Sequence, residues 1–248
     1  MDRVKYIGKP FLGKDVKGVD EMEFKESYNI DDLLEIMKIL RSENGCVWDR
    51  EQDHASIRVS LIEEAYEAAE AIDLDNMEML EEELGDVLLQ VVFHARMEEE
   101  AGGFNFDNVC DGICKKMILR HPHVFGDVKV ANSKEVLANW DEIKKVEKGQ
   151  KSTRQTLEGV SKAMPALMRA EKVYGKAAKV GVGCKETSDA MKDLRSKLDA
   201  LEAQVEAGES CKEGIGELLF AAAGLCKTLD IDAEEQLAAK CDRFINEF

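Results

Sequence analysis

Two short acidic clusters hold the residues of this 248-residue chain that are best suited to chemistry. The first is Glu63-Glu64-Ala65-Tyr66-Glu67, and the second is Glu83-Leu84-Gly85-Asp86. Two carboxylates about 4 Å apart repel each other by about 4 kcal/mol at an effective dielectric constant of about 20. A converging set of carboxylates therefore needs a cation, and an all-oxygen site suits Mg²⁺ or Mn²⁺ better than zinc. We expect these two clusters to form a divalent metal site.

The spacing of the acidic residues predicts that they lie on two helices. Residues three or four positions apart share one face of a helix, and this spacing relates Glu63 and Glu64 to Glu67, and Glu83 to Asp86. The aspartate and asparagine residues of the intervening segment predict a turn at Asp73-Leu74-Asp75-Asn76. Two apolar stripes border the acidic residues: Leu61, Ala65, Ala68 and Ile72, and then Leu80, Leu84, Val87, Leu88 and Val91. The carboxylates should thus face the contact between the two helices, although a solvated acidic face is the alternative.

The remaining pattern predicts an all-α fold. The first helix is expected to begin at residue 30 and to end near Asn44-Gly45, with Trp48 and Asp49 in the loop that follows. Further helices are expected at residues 56–72, 77–100, 106–120 and 133–149. The helix at residues 77–100 is apolar nearly all round, so it belongs in the middle of a bundle. Asn132 and Glu135 have the spacing of a capping box at the start of the last of these helices.

The two acidic clusters resemble the EExxE…ExxD signature of the MazG family of all-α nucleoside triphosphate pyrophosphohydrolases. Three further blocks are similar to that family: Leu-Arg-Ser-Glu-Asn-Gly-Cys-Val-Trp-Asp at 40–49, Arg-His-Pro-His-Val-Phe at 120–125, and Val-Leu-Ala-Asn-Trp-Asp-Glu-Ile-Lys at 136–144. The clear resemblance covers roughly residues 30–150, and a weaker one covers the rest. It implies Mg²⁺-dependent hydrolysis of nucleoside triphosphates to the monophosphate and pyrophosphate, with broad base tolerance, in nucleotide-pool control or housecleaning. It also implies a homodimer.

The resemblance further implies a role for each candidate site residue. The metal ligands are Glu64, Glu67, Glu83 and Asp86. Glu63 positions or deprotonates the attacking water, or else is a further ligand or a supporting group. Lys116 and Arg120 hold the β and γ phosphates, and Trp140, Lys144 and Trp48 contact the base or the phosphates. The alternatives are ordinary surface charge for the basic residues and core packing for the two tryptophans. His121 and His123 are expected to cap and pack rather than bind phosphate.

The chain is expected to consist of an extension at residues 1–29, a catalytic unit at residues 30–149 and a degenerate second unit at residues 160–248. The polar stretch at residues 149–159 marks the boundary between two tandem four-helix units. In the second unit, residues 213–219 align with residues 82–88, which sets Gly214 and Glu217 opposite Glu83 and Asp86. Ser196, Lys197 and Ala200 fall opposite Glu63, Glu64 and Glu67.

A lysine at a ligand position reverses the sign of the second site. Lys197 can supply the positive charge that a metal ion would otherwise bring. We therefore expect the second unit to be structural and catalytically silent.

The composition excludes several classes of function. A net charge of −17 argues against nucleic-acid binding, which needs patches of lysine and arginine. The chain has no run of about 18 apolar residues and no signal peptide, so we expect a cytoplasmic protein without a membrane span. Its seven cysteines are scattered, which favours free thiols over disulfides. Cys110 and Cys114 lack a second Cys or His pair to complete a zinc site.

Two alternative functions remain beside that of a metal-dependent hydrolase. A carboxylate-bridged di-iron bundle needs two Glu-x-x-His elements on facing helices, and the chain offers only Glu51 to His54, outside the paired helices. A non-catalytic helical scaffold is the other rival, and the complete acidic set in the first half argues against it.

Overall fold

All regular structure in the computed structural model is α-helical across residues 25–147 and 152–248, which are the residues that it describes. The fold class is therefore all-α, as predicted. Most of the expected N-terminal extension and the expected boundary at residue 149 lie outside these residues. Within the same ranges, no helix is both long enough and apolar enough to cross a membrane.

The chain forms two compact units that divide between Val130 and Ala131. The first unit contains α1 (Ile30–Leu40), α2 (Val47–Glu51), α3 (Arg58–Asp73), α4 (Met77–Glu100), α5 (Phe106–Arg120) and α6 (Pro122–Phe125). The second contains α7 (Ser133–Glu147), α8 (Thr153–Glu158), α9 (Ala166–Lys179), α10 (Thr187–Glu206), α11 (Lys212–Thr228) and α12 (Ala233–Ile245). Helix α7 is grouped with the second unit here, whereas the sequence analysis assigns it to the catalytic unit. The extents of the two functional domains stay predictions.

Helix α4 is the central element of the first unit. It packs against α1, α3 and α5, as its nearly uniform apolar surface predicts. The core of the unit consists of Met37, Ile57, Val92, Phe93 and Met97. Three of these five side chains come from the second half of α4, so this half of the helix is anchored in the core. Its first half carries Glu83 and Asp86 of the acidic clusters.

A tight turn folds α3 back on α4. Asp75 has a φ of +51°, a left-handed conformation that aspartate tolerates, and Asn76 then caps α4 by accepting a hydrogen bond from the backbone N–H of Met79 at 3.2 Å. The turn was predicted from its composition. The apolar stripes are only partly buried within this unit, because Ala68 is buried while Ile72 and Leu84 are 60% and 54% exposed. The stripes are wider than one helix contact can cover.

The expected loop at Trp48 is wrong, because Trp48 lies in the short helix α2. Five residues give no periodic signal, and contacts from Arg41 at the end of α1 stabilise this helix instead. The Arg41 guanidinium donates hydrogen bonds to the carbonyl of Asp49 and, at 3.3 Å, to that of Gln52. The Arg41 side chain therefore caps carbonyl groups at the end of α2, which have no partner within the helix.

The start of α7 follows the expected capping pattern with one change of partner. Asn132 Oδ1 accepts the backbone N–H of Glu135 at 3.1 Å, while Glu135 Oε2 accepts that of Ala131 at 2.9 Å rather than that of Asn132. The first bond satisfies a backbone donor that the first turn of α7 leaves open, and the second satisfies the N–H of the residue that precedes Asn132.

The second unit is built around α11, which packs against α9, α10 and α12. Helices α10 and α11 form a hairpin, as α3 and α4 do in the first unit. Gly224 on α11 lies directly beneath the ring of Tyr174 on α9, so a side chain at position 224 would collide with that ring. That this unit is a degenerate copy of the first stays a prediction.

Candidate active site

Three acidic side chains converge where α3 and α4 face each other. Glu64 comes from α3, Glu83 and Asp86 come from α4, and one carboxylate oxygen of each lies within 4.8 Å of those of the other two. All three residues are half-buried. The spacing of three between Glu83 and Asp86 puts both on the face of α4 that meets α3. The structure therefore brings together three of the four predicted ligands.

Burial and the crowding of negative charges together set the pKa values in this cluster. Partial burial raises the pKa of Glu64, and the negative charges of Asp86, Glu67 and Glu63 raise it further. The pKa of Glu83 is raised by the same causes, burial first and then the charge of Glu67. Within residues 25–147 and 152–248, none of these acidic side chains forms an ion pair with lysine or arginine. Oxygen donors and uncompensated negative charge are the features that suit a divalent cation such as Mg²⁺.

Glu67 and Glu63 lie at the edge of the cluster. Both are exposed, and neither belongs to the set of oxygens that converge within 4.8 Å. Glu67 is near enough for its charge to raise the pKa of both Glu64 and Glu83. Its role as a ligand, and that of Glu63 beside the attacking water, stay predictions.

The two basic residues of α5 differ in exposure. Lys116 is half-buried, whereas Arg120 is 9% exposed. Charged side chains are almost never buried unless they are paired, so Arg120 is not ordinary surface charge. The neighbouring His121 contacts the carbonyl of Met117 through Nδ1 at 2.6 Å at the C-terminal end of α5, in keeping with its expected capping role. The phosphate-binding role of Lys116 and Arg120 stays a prediction.

The aromatic candidates lie in different units. Trp48 on α2 is 59% exposed, so its ring is open to stacking and is no core anchor of the first unit. Trp140 and Lys144 lie on α7 in the second unit, where the Lys144 Nζ sits 4.2 Å from the centre of the Trp140 ring. This distance is that of a cation–π contact. Their assignment to the substrate stays a prediction.

A polar network on the second half of α4 was missed by the sequence analysis. His54 contacts His94 and Glu98 of α4, and Arg41 contacts Glu100. One signal was present in the sequence, because Asp86, Gln90, His94 and Glu98 recur every four residues and so share a face of α4. The sequence analysis considered His54 only as part of a di-iron motif. No second Glu-x-x-His element exists to complete that motif.

Comparison with known proteins is consistent with this geometry. Residues 52–125, which include the whole acidic cluster, match the family model described as the MazG nucleotide pyrophosphohydrolase domain. The chain is 40% identical over 224 residues to the nucleoside triphosphate pyrophosphohydrolase of Escherichia coli K12, covering 88% of this chain and 85% of the relative. It is 39% identical over 218 residues to the nucleoside triphosphate pyrophosphohydrolase/pyrophosphatase MazG of Thermotoga maritima, covering 88% and 83%. The protein YabN of Bacillus subtilis 168 is 42% identical over 216 residues, covering 86% of this chain and 44% of YabN.

Proposed function

Because the chain belongs to the MazG family of nucleotide pyrophosphohydrolases, we propose that it hydrolyses nucleoside triphosphates to the monophosphate and pyrophosphate. The relatives from Escherichia coli and Thermotoga maritima carry this activity in their names. The observation that carries the proposal is the convergence of Glu64, Glu83 and Asp86 between α3 and α4. Carboxylates that converge without a basic partner repel each other, and a divalent cation bound by their oxygen atoms would offset this repulsion.

The metal ion is proposed to be Mg²⁺, with Mn²⁺ as a substitute. Glu64, Glu83 and Asp86 would hold it, and Glu67 would join them after a change of side-chain rotamer. A bound divalent ion would neutralise charge on the phosphate oxygens and lower the pKa of a water molecule. Burial raises the pKa values of Glu64 and Glu83, and the charges of neighbouring carboxylates raise them further. Both causes support this assignment, since a bound cation would offset the cost of burying these carboxylates and the repulsion between them.

Glu63 is proposed to orient the attacking water and accept its proton. It is exposed, directly precedes the ligand Glu64 and is close enough for its charge to act on that residue. The water oxygen forms a bond to the α-phosphorus, and the bond from that phosphorus to the oxygen bridging to the β-phosphate breaks. The leaving group is pyrophosphate, and the product that keeps the base is the monophosphate.

Five basic and aromatic side chains are proposed to bind the rest of the substrate. Lys116 and Arg120 would hold the β and γ phosphates, and Trp140 and Lys144 would contact the base or a phosphate. The exposed ring of Trp48 supports a role in stacking on the base. Stacking depends little on which base is present, which supports the proposal of broad base tolerance. A role in nucleotide-pool control or housecleaning is proposed by analogy with the family.

We further propose that the protein is a cytoplasmic homodimer that does not bind nucleic acid. The α3–α4 hairpin leaves large apolar side chains exposed, namely Val59, Ile62, Tyr66, Leu84 and Leu88. Exposed apolar side chains on one hairpin support an interface there, and most symmetric oligomers bury the same surface on both copies.

Product analysis tests the proposal. Purified protein is incubated with each of the common nucleoside triphosphates and Mg²⁺, and the products are separated by ion-exchange chromatography. We expect equal amounts of monophosphate and pyrophosphate from several bases, and no reaction with EDTA. A reaction that EDTA does not slow, or the release of diphosphate and orthophosphate, would contradict the proposal. A complete lack of turnover would favour a helical scaffold.

A further inference from the structure

The loop between α2 and α3 is attached to α4 through His54. The Nδ1 atoms of His54 and His94 are 2.7 Å apart, and His54 Nε2 lies 2.8 Å from Glu98 Oε1. The two rings are inclined by only 6°, and their centres are 5.0 Å apart. The nitrogen atoms are thus far closer than the ring centres, so the rings meet edge to edge along a hydrogen bond.

The protons of this arrangement can be counted. The Glu98 carboxylate accepts, so His54 Nε2 must donate to it. Only one proton fits between the two Nδ1 atoms. The arrangement therefore accommodates two neutral rings, or one additional proton on the pair. It does not accommodate two imidazolium rings, because both Nδ1 atoms would then be donors and the like charges would repel.

The groups around the pair set the direction of its response to acid. Burial lowers the pKa of His94, and the charge of His54 lowers it further. Two carboxylates face His54: Glu98 from α4 and Asp53 from the loop itself, whose own pKa is lowered mainly by hydrogen bonds from Ser56 and Ala55. Both negative charges lie beside the histidine pair, whereas two positively charged rings in contact would repel each other.

The loop has a second attachment that does not titrate. Arg41, whose side chain is 8% exposed, donates hydrogen bonds to Glu100 Oε2 at 2.9 and 3.0 Å and to the carbonyls of Asp49 and Gln52. Arginine stays protonated at every pH in question. Loss of the histidine contact would therefore loosen the loop without detaching it.

The loop is connected to Trp48 by side-chain hydrogen bonds. Ser56 Oγ donates to Gln52 Oε1 at 2.9 Å, and Gln52 Nε2 donates to the carbonyl of Trp48 at 2.8 Å. The exposed Trp48 ring thus belongs to a segment that hydrogen bonds connect to residues 52–56. His54 lies in the middle of that stretch.

We propose that His54, held by His94 and Glu98, is a positioning residue for Trp48, and that double protonation of the histidine pair releases Trp48 and weakens nucleotide binding. The part concerning nucleotide rests on the proposed role of Trp48 in base stacking. The part concerning the position of Trp48 does not depend on any activity.

The first test follows Trp48 itself in the full chain without nucleotide. A Trp140→Phe background leaves Trp48 as the single tryptophan, since the chain has two. Acrylamide quenching of its emission should increase by about twofold or more as the pH falls from about 8 to about 5, because the histidine pair opens in this range. His94→Phe should give the higher quenching throughout and remove the pH dependence.

A matched pair of variants tests the proton count in a protein that keeps its shape. Glu98→Gln still accepts the His54 Nε2 proton but no longer favours the first added charge, so the closed pair binds protons poorly and opens at a higher pH. Glu99→Gln changes the adjacent carboxylate, which contacts Arg96 instead, and should leave the transition unmoved. Quenching that does not change with pH in the folded protein, or the same transition in both variants, would overturn the proposal.

The second test separates KM from kcat. At neutral pH, His94→Phe should raise the KM for a nucleoside triphosphate by about fivefold while kcat changes by less than about twofold, the pattern of a lost binding contact. In the wild-type protein the KM should rise over the same pH range as the quenching. An unchanged KM in His94→Phe would overturn the link to nucleotide binding. A protein without any turnover would instead refute the proposed function, and the quenching data would still decide the role of His54.

Discussion

Lys197 Nζ lies 2.9 Å from Glu217 Oε2, in an ion pair that joins α10 to α11. The hydrogen bond from Lys197 to Glu217 and the charge of that carboxylate raise the pKa of the lysine. By sequence, these two residues stand opposite Glu64 and Asp86 of the first unit. In the first unit, carboxylates converge between α3 and α4, and we propose that a bound metal ion neutralises them. In the second unit, Lys197 supplies the positive charge between α10 and α11. We propose on this basis that the second unit is catalytically silent.

The silent second unit leads to a prediction on Glu217. Glu217→Ala should leave kcat/KM within about twofold of the wild type, because the residue contacts Lys197 rather than a metal ion or substrate. Steady-state kinetics with saturating Mg²⁺ provide the measurement. A large loss of kcat in Glu217→Ala, with an unchanged circular dichroism spectrum, would show that the second unit takes part in the chemistry.

The crowded carboxylates predict how stability changes with pH and metal. A carboxyl group whose pKa is higher in the folded than in the unfolded state lowers the free energy of unfolding at pH values where it is ionised. This loss of stability disappears as the pH falls through the folded-state pKa towards the unfolded-state pKa. Glu64 and Glu83 are of this kind. The metal-free Glu83→Gln protein should therefore melt at the same temperature as the wild type or higher at neutral pH, and Mg²⁺ should stabilise only the wild type. Thermal unfolding with and without Mg²⁺ checks this.

The control for this experiment is Glu70→Gln, which removes an exposed carboxylate from the same hairpin, outside the cluster. It should respond to Mg²⁺ as the wild type does. Equal stabilisation of Glu83→Gln and the wild type by Mg²⁺ would contradict the assignment of Glu83 as a ligand.

The phosphate-binding role of α5 can be tested with adjacent lysines. Lys116→Ala should raise the KM by about tenfold with a smaller effect on kcat, since a charge-assisted contact to phosphate would be lost. Lys115→Ala removes an exposed lysine that pairs with Asp111 and should leave both constants unchanged. If both variants behave alike, Lys116 is ordinary surface charge.

Arg41 should contribute strongly to stability. Its nearly buried guanidinium pairs with Glu100, satisfies two carbonyls and lies over the ring of Phe93. Arg41→Ala leaves these groups without a partner and should lower the free energy of unfolding by about 3 kcal/mol. Arg50→Ala, which loses one exposed hydrogen bond to the carbonyl of Glu43, should cost less than about 1 kcal/mol. Urea unfolding measures both, and equal losses would contradict the role of Arg41.

The long helices were predictable because periodicity and caps agree. Helices α4 and α5 begin where expected, each after an asparagine that caps its first turn, Asn76 and Asn105. Helix α2 and the contact between His54 and His94 were not predictable in this way. Helix α2 depends on hydrogen bonds from Arg41, at the end of α1, to Asp49 and Gln52, and the two histidines are forty positions apart. No helical periodicity encodes either contact.

The candidate site was predictable in part for a related reason. A spacing of three or four residues assigns a side chain to a face of a helix, and this was sufficient to predict that Glu64, Glu83 and Asp86 meet. It does not fix which rotamer a long side chain adopts at the border of that face. Glu67 therefore lies outside the converging set although it shares a face with Glu64.

The most direct test of the central claim is the reaction of one nucleoside triphosphate with Mg²⁺ in heavy-oxygen water, catalysed by the wild type and by Glu83→Gln. Mass spectrometry of the products shows which phosphorus the water attacks. We expect the wild type to give pyrophosphate and a monophosphate that carries the heavy oxygen, and Glu83→Gln to lose more than about a hundredfold in kcat, because a metal ligand is gone. Heavy oxygen in pyrophosphate, or wild-type turnover by Glu83→Gln, would contradict the account.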